Sequence, residues 1–394
     1  MGKTMGITKK LNLGNIFIFL FLVIFPFGQV VRLSFNFAGL SIPIQPIDII
    51  VGCGALYALI KKFPKPLVLK ILTGFLVAAA FSFIFSVFIF KTFDLVYGLF
   101  YLVRLAAYIY FILYIWNFIK GRGDKRLLCD SLLGVSVASA VFGWIQFFTY
   151  PDIKPFYIWG WDMHLFRLVG TFLDPTFLGL IIVFGFVLSI YKCLKGWNWK
   201  NILVAVFLLI SLAFTYSRAS YLAFIAAVLM IVFFERKFKK LLFFVLGLIV
   251  LVFLLPTAKN HSIELFRSFS AVARIEDYQS TLKIFLASPI FGVGYDNMCL
   301  AYQKFVGFQN FSSHACSGSD SSLLFILATT GITGFTIFLT LLMKIAKLVK
   351  KSVEGQVFIV CSLALLVHSL FSNSLFYPWV LGYILILLIL AVKE

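Results

Sequence analysis

The sequence predicts an all-α, polytopic membrane protein with about twelve transmembrane helices and one large extracytoplasmic helical loop. Three observations lead there. First, 62% of the residues are hydrophobic and 12% charged, whereas a soluble domain carries about a quarter charged residues. Second, 49 phenylalanines in 394 residues exceed what one water-soluble core would bury. Third, apolar runs of about twenty residues recur along the chain, the length that crosses a bilayer as helix. The runs do not alternate as the strands of a membrane β-barrel would.

In order, the spans fall near 13–31, 43–60, 67–90, 95–118, 127–148, 168–191, 201–215, 219–234, 241–257, 321–343, 356–373 and 376–392. Lys3, Lys9 and Lys10 precede the first run, which leads into Phe25-Pro26-Phe27 without a small-residue cleavage site. It reads as a retained span that also serves targeting. The N-terminus, 61–70, 119–126, 192–200, 235–240, 344–355 and the C-terminus together hold 23 of the 34 Lys and Arg residues. The positive-inside rule then puts both termini in the cytoplasm and the long loops 149–167 and 258–320 outside. The organisation is a nine-span bundle (1–257), an extracytoplasmic loop carrying the chemistry (258–320) and three final spans (321–394).

The net charge of +19 invites a nucleic-acid reading. Its dispersal into short clusters between spans argues for a topology signal instead. The six cysteines show neither CxxC nor Cys/His metal spacing. Cys299 and Cys316 share the long loop, and could pair if it faces an oxidising compartment.

The 258–320 loop holds five of the fifteen acidic residues. Within it, 268–287 reads as an amphipathic helix ended by Ser288-Pro289. Apolar residues fall at near-helical spacing at Ala271, Ile275, Tyr278, Leu282, Phe285 and Leu286. Arg267 and Arg274 would share another face, about 10 Å apart, with Thr281 continuing the stripe. A Gly292-Val293-Gly294 turn follows. The segment after Phe308 delivers His314 and Asp320 to the next span.

Five places could carry chemistry. Arg218 closes the very short hairpin Thr215-Tyr216-Ser217-Arg218 at the membrane rim, where a guanidinium fork matches phosphate oxygens. An interfacial anchor is the plainer alternative. Arg267 and Arg274 form a cationic stripe suited to a diphosphate, or simply a solvated face. Arg104 lies inside a span, where an arginine needs a partner; Asp48 and Asp94 are the candidates. Arg167 opens a run broken at Asp174-Pro175. Asp174 would cap a helix restarting at Pro175; the break is either a cavity wall, with Arg167, Asp174, Tyr216 and Arg104 as its candidates, or a purely structural kink, and for Arg104 a structural ion pair is the alternative. His314 and Asp320 are the candidate acid–base groups; His261, His164 and His368 rank lower. The spacing fits neither HExxH nor an Asp-x-Asp metal site, so no metal or cofactor is expected.

The order of these stretches resembles the O-antigen ligase and polymerase superfamily, membrane glycosyltransferases that use polyprenyl-diphosphate-linked glycans. The matching stretches are Arg167-Leu-Val-Gly-Thr-Phe-Leu-Asp174-Pro175, Thr215-Tyr-Ser-Arg218-Ala, and Arg274 with the helix ending in Ser-Pro-Ile-Phe-Gly-Val-Gly294. The last is Asp320-Ser-Ser-Leu-Leu-Phe-Ile-Leu-Ala-Thr-Thr-Gly-Ile-Thr-Gly334. The resemblance extends over essentially the whole chain, least distinctively over the first four spans.

It implies a lipid-linked donor bound by outward-facing arginines, with Arg218 and Arg274 at the matching positions. An acceptor hydroxyl on a glycan, lipid or protein would attack the anomeric carbon with inversion. In the family's ligases a histidine, often followed by Asn, precedes the last loop-to-span turn and is the proposed base. Here that place reads Asp320-Ser321, and the nearest histidine is His314. Ligase and polymerase both remain open. A lipid or polysaccharide transporter or flippase should show paired broken helices in related halves and polar residues spread through many spans. The sequence shows neither.

Overall fold

The computed structural model describes residues 14–37, 40–159, 161–196, 198–235, 238–255, 268–307 and 318–393. The described chain is almost entirely helical. Its helices are α1 (Ile16–Ile24), α2 (Pro46–Ile60), α3 (Leu67–Phe85), α4 (Val96–Phe118), α5 (Arg122–Thr149), α6 (Pro175–Lys195), α7 (Trp199–Phe214), α8 (Arg218–Glu235), α9 (Phe238–Leu254), α10 (Ser268–Ala287), α11 (Met298–Ala301), α12 (Ser322–Leu348), α13 (Val353–His368) and α14 (Pro378–Val392). An antiparallel hairpin of β1 (Leu33–Phe37) and β2 (Leu40–Ile44) joins α1 to α2, an addition to the expected all-α pattern.

Among the described residues, six helical segments are long and apolar enough to cross a membrane: Leu67–Phe88, Val96–Phe118, Arg122–Thr149, Pro175–Lys195, Arg218–Glu235 and Ser322–Leu348. Six shorter apolar segments lie where the other expected spans fall. A fifteen-residue helix such as α14 rises about 22 Å, short of a hydrocarbon core about 30 Å thick.

Burial separates inner helices from outer ones. In α14, thirteen of fifteen residues are buried, so this helix, apolar on every side, is central rather than lipid-facing. Around it, α6 packs on α5, α7, α8 and α13, while α2 pairs with α4 and α3 with α12. Small residues set the closest approaches, as expected where no hydrophobic drive separates helix from lipid. A Cβ on Gly179 of α6 would come 2.4 Å from the Ser220 hydroxyl of α8.

The most consequential joint lies in α12. At Gly331 the backbone turns to φ 66°, ψ −174°, and the helical ladder opens. The segment 289–294, just after α10, fills the gap. Val293 and Gly294 donate their N–H groups to Ala328 O and Thr329 O, both at 3.0 Å. In return Ile332 N–H donates to Pro289 O (2.9 Å) and Thr333 N–H to Ile290 O (3.3 Å). Ser82 of α3 donates its hydroxyl to the same Thr329 O at 2.6 Å. Broken helices survive at membrane depth only when the freed groups find such partners. Both sides of the joint require glycine. A Cβ at Gly331 would sit 2.3 Å from Ile290 O, and one at Gly292 (φ +75°) 2.4 Å from Thr329 O.

Gly292→Ala should therefore cost about 3 kcal/mol or more, the sum of a left-handed alanine and an overpacked contact. Gly307, also left-handed (φ +81°) but with nothing within 4 Å of its would-be Cβ, should cost only about 1–2 kcal/mol as Gly307→Ala. Thermal melts of the two purified variants check this; equal losses would mean the joint contributes no stability.

Candidate functional site

The site is assembled from helix ends. The turn between α7 and α8 is held by Arg167, which is 4% exposed. Its Nε donates to Thr215 O at 2.9 Å and its Nη2 to Tyr216 O at 3.1 Å. Tyr216 takes φ 50°, a left-handed conformation costing a non-glycine residue about 1–2 kcal/mol. Charge-assisted bonds from the guanidinium to the turn's carbonyls offset that cost. Arg167 thus gives these donors to the backbone that carries Arg218. Arg218 is the first residue of α8 and half-buried.

The expected sixth span from 168 begins at Pro175. Before it lie a 3-10 turn at Gly170–Phe172 and Leu173 in the left-handed region. There is no half-helix ahead of the break. Asp174 caps α6 as expected, its Oδ1 accepting Thr176 N–H at 2.6 Å. Ser220 of α8 donates its hydroxyl to Thr176 O at 3.1 Å and lies 3.3 Å from His368 Nε2 at the end of α13. The start of α12 reaches the same turn. Ser322 N–H donates to Ser369 O at 2.9 Å, and Ser321 caps the helix by accepting Leu324 N–H. Three helix N-termini (α6, α8 and α12) thus meet around residues 368–374, each contributing partial positive charge.

Helix α10 lies across this junction, and its predicted apolar stripe is divided between protein and the outside. Ile275, Leu282 and Leu286 of that stripe are 56%, 42% and 71% exposed, whereas Tyr278 and Phe285 are half-buried and the neighbouring Ile284 is fully buried. Thr281, on the predicted polar stripe, is buried, and Arg274 and Asp277 are half-buried. The outward apolar stripe is one that lipid can solvate, which frees the polar face to turn toward protein. Tyr278 donates its hydroxyl to Leu370 O at 2.5 Å, fixing α10 on the 368–374 turn. Arg274 is close enough to Arg218, His368 and Tyr278 for their charges to interact. Two guanidiniums brought together in a half-buried place repel, and an anion between them reverses the sign of the interaction.

Asp277, which the sequence reading passed over, ties the other side of the junction together. Its Oδ1 accepts the Tyr302 hydroxyl at 2.6 Å. Its Oδ2 accepts the Ser319 hydroxyl at 2.9 Å and the Asp320 N–H at 2.8 Å. Asp320 is therefore delivered beside α10 by its backbone, with its exposed side chain near Tyr278. The signal for Asp277 was its place three residues after Arg274 and four before Thr281, on one helical face.

Arg104 belongs to a different cluster. It pairs with Asp48 at 2.9 Å, donates to Pro43 O at 2.6 Å and lies 4.7 Å from the Tyr101 ring centroid. Of the two expected partners Asp48 is the one used. Tyr108 donates its hydroxyl to Asp48 Oδ1 at 3.2 Å. Asp296, φ 59°, approaches Arg104 from the loop after α10. Burial pushes the Asp296 carboxyl up to about 8, against the opposing pull of Arg104. Arg267, His314 and Cys316 lie outside the described residues. Cys299 is disulfide-bonded.

The family model described as O-antigen ligase matches residues 203–339. That stretch encloses the α7–α8 turn, Arg218, α10 with Arg274 and Asp277, the 289–294 segment, Asp320 and the break at Gly331. No curated protein matches the chain.

Two outcomes are expected here. Asp277→Ala removes three hydrogen bonds to a carboxylate, each worth about 1.5–3 kcal/mol, and should lower the melting temperature while raising protease sensitivity near 319–320. Unchanged values for both would remove Asp277 from its tying role. The raised carboxyl at Asp296 binds its proton more tightly in the fold than in the unfolded chain. Its contribution to stability should fall as pH rises from 3.8 toward about 8. Comparing melting temperature against pH for wild type and Asp296→Asn tests this: the variant should lack that part of the decline, and parallel curves would refute it.

Proposed function

Starting from a chain whose residues 203–339 support the O-antigen ligase/polymerase superfamily as its family, we propose that the protein is a membrane glycosyltransferase. It moves a glycan from a polyprenyl-diphosphate carrier to an acceptor hydroxyl at the outer face of a bacterial inner membrane. The observation that carries the reading is the approach of Arg218 and Arg274 at the junction of three helix N-termini, inside the matched stretch. Two planar forks suit the two phosphates of a diphosphate, and the helix ends add to the positive field.

In the proposed reaction the acceptor oxygen attacks the anomeric carbon from the face opposite the leaving group, inverting it. The bond from that carbon to the phosphate oxygen breaks, and its electron pair leaves with the lipid diphosphate, whose charge the arginines stabilise. The acceptor proton passes to a base, for which Asp320 and His314 are the candidates. Arg267 is the third candidate cation. Arg167, Asp174 and Tyr216 hold the turn and the α6 terminus beneath it. The acceptor is a glycan, a lipid or a protein, and no metal or cofactor takes part.

Twelve spans with both termini in the cytoplasm are the matching topology. The clustering of 23 of the 34 Lys and Arg residues on one set of loops supports that orientation. So does the disulfide at Cys299, since disulfides persist in oxidising compartments.

Transfer is measured with purified protein and a lipid-diphosphate oligosaccharide, product length being read on a gel. A single shift onto the acceptor identifies a ligase, and a ladder a polymerase. Arg218→Ala and Arg274→Ala should each lower transfer about a hundredfold or more, the usual effect of deleting one charge-stabilising donor, with the protein still folded in the membrane. Near-normal transfer in both would end the diphosphate-clamp reading. Asp320→Asn should reduce transfer more than His314→Ala if Asp320 is the base; the reverse order assigns the role to His314.

A further inference from the structure

Away from the α6–α8–α10 junction, a groove of about 660 Å³ runs between α3 and α12. Its upper end is set by the break in α12. Ser82 bonds Thr329 there, and about 10 Å farther along α12 the buried rings of Phe75 and Phe338 meet with centroids 5.6 Å apart. Toward the other end the helices leave a channel lined by Gly74, Thr333, Thr336 and Thr340, with Lys70 and Lys344 at its mouth.

The channel is apolar despite its threonines. Thr336 donates its hydroxyl to Ile332 O at 2.7 Å, and Thr340 donates to Thr336 O at 2.9 Å. Thr333 donates to Ile290 O at 2.9 Å. With those hydroxyls spent on backbone carbonyls, their methyl groups are left to line the channel. Gly74 adds space, since nothing lies within 4 Å of its would-be Cβ. Lys70 and Lys344 are both exposed, and among the described residues neither has an ion-pair or hydrogen-bond partner.

The length of the channel decides what fits. From Ile332 to Lys344 the helix rises about 18 Å. That is close to half of a hydrocarbon core about 30 Å thick, so it accommodates a chain from one leaflet. A membrane-crossing polyprenyl tail from the opposite face would end with its apolar terminus against two lysines, a mismatch. An anionic headgroup at the lysine end, with its acyl chain lying up the channel, satisfies both ends.

We propose that the α3–α12 groove is a binding site for an anionic phospholipid, its phosphate between Lys70 and Lys344 and one acyl chain along the threonine face. The leaflet is the cytoplasmic one in the orientation proposed above; the site itself does not depend on that orientation or on the transfer reaction. The bound chain would fill the space beneath the broken segment of α12.

The test uses the full-length protein in detergent, with lipid retention read by native mass spectrometry and folding checked by thermal melt. Wild type should retain phosphatidylglycerol in preference to phosphatidylcholine. Lys70→Ala/Lys344→Ala should weaken phosphatidylglycerol binding about thirtyfold, on about fivefold for each lysine near a headgroup. Thr336→Trp, placed on the exposed channel wall, should reduce retention of both lipids while leaving the melt unchanged. Equal retention of the two lipids by wild type would overturn the proposal. So would displacement of phosphatidylglycerol by millimolar inorganic phosphate, which would mean a headgroup-only site. Preferential retention of a polyprenyl phosphate over phosphatidylglycerol would assign the groove to a different lipid and equally overturn it.

Discussion

The structure depends on one backbone exchange. Where α12 opens at Gly331, its freed carbonyls and N–H groups are taken by residues 289–294, and two glycines let the chains touch. Orphaned backbone groups would cost several kcal/mol each at membrane depth, so neither partner can hold its shape alone. The exchange fixes where α10 ends, and with it the placement of Arg274. It also fixes the angle at which the first part of α12 rises to Asp320. A loop that might have drifted over the bundle is instead bolted to a span at the point where chemistry is proposed.

Of the five arginines that stood out in the sequence, the four within the described residues divide by what surrounds them. Arg167 gives its donors to the carbonyls of a strained turn, and Arg104 to Asp48 and Pro43 O. Those two charges stabilise the fold. Arg218 and Arg274 approach one another instead, at helix ends whose dipoles already favour an anion. An anion bound between two guanidiniums would reverse the sign of their interaction, which is why the proposed diphosphate site is placed at this pair. Asp277 completes the arrangement from beneath, converting the position of α10 into the position of Asp320.

Helix α10 shows where pattern reading reached its limit. Its boundaries were legible, because Ser288-Pro289 ends any helix that precedes it. Its orientation was not. An amphipathic period says that two faces differ, and the usual inference buries the apolar one. Beside a membrane the apolar face of Ile275, Leu282 and Leu286 has lipid as a solvent, and the polar face can turn to protein. The same ambiguity hid Asp277 and the bonds that Arg167 makes to a distant turn. Where a side chain's donors go depends on which carbonyls the fold brings near, and the Thr215–Tyr216 turn lies 48 and 49 positions along the chain.

The sequence by itself determined the helical membrane class, the places of the apolar segments, the cap at Asp174 and the stretches that resemble O-antigen ligases and polymerases. These are local properties: apolar run length, charge bias of short loops, and turn chemistry that a few consecutive residues decide. Only the tertiary structure decided which arginines meet, which face of α10 looks inward, and why glycines stand at 292 and 331. Each of those is a contact between distant segments, and its energy exists only once both have been brought together. The polar stretch around 258–320 was conspicuous as a loop. Its role as the partner of a broken helix lies in hydrogen bonds that no linear pattern records.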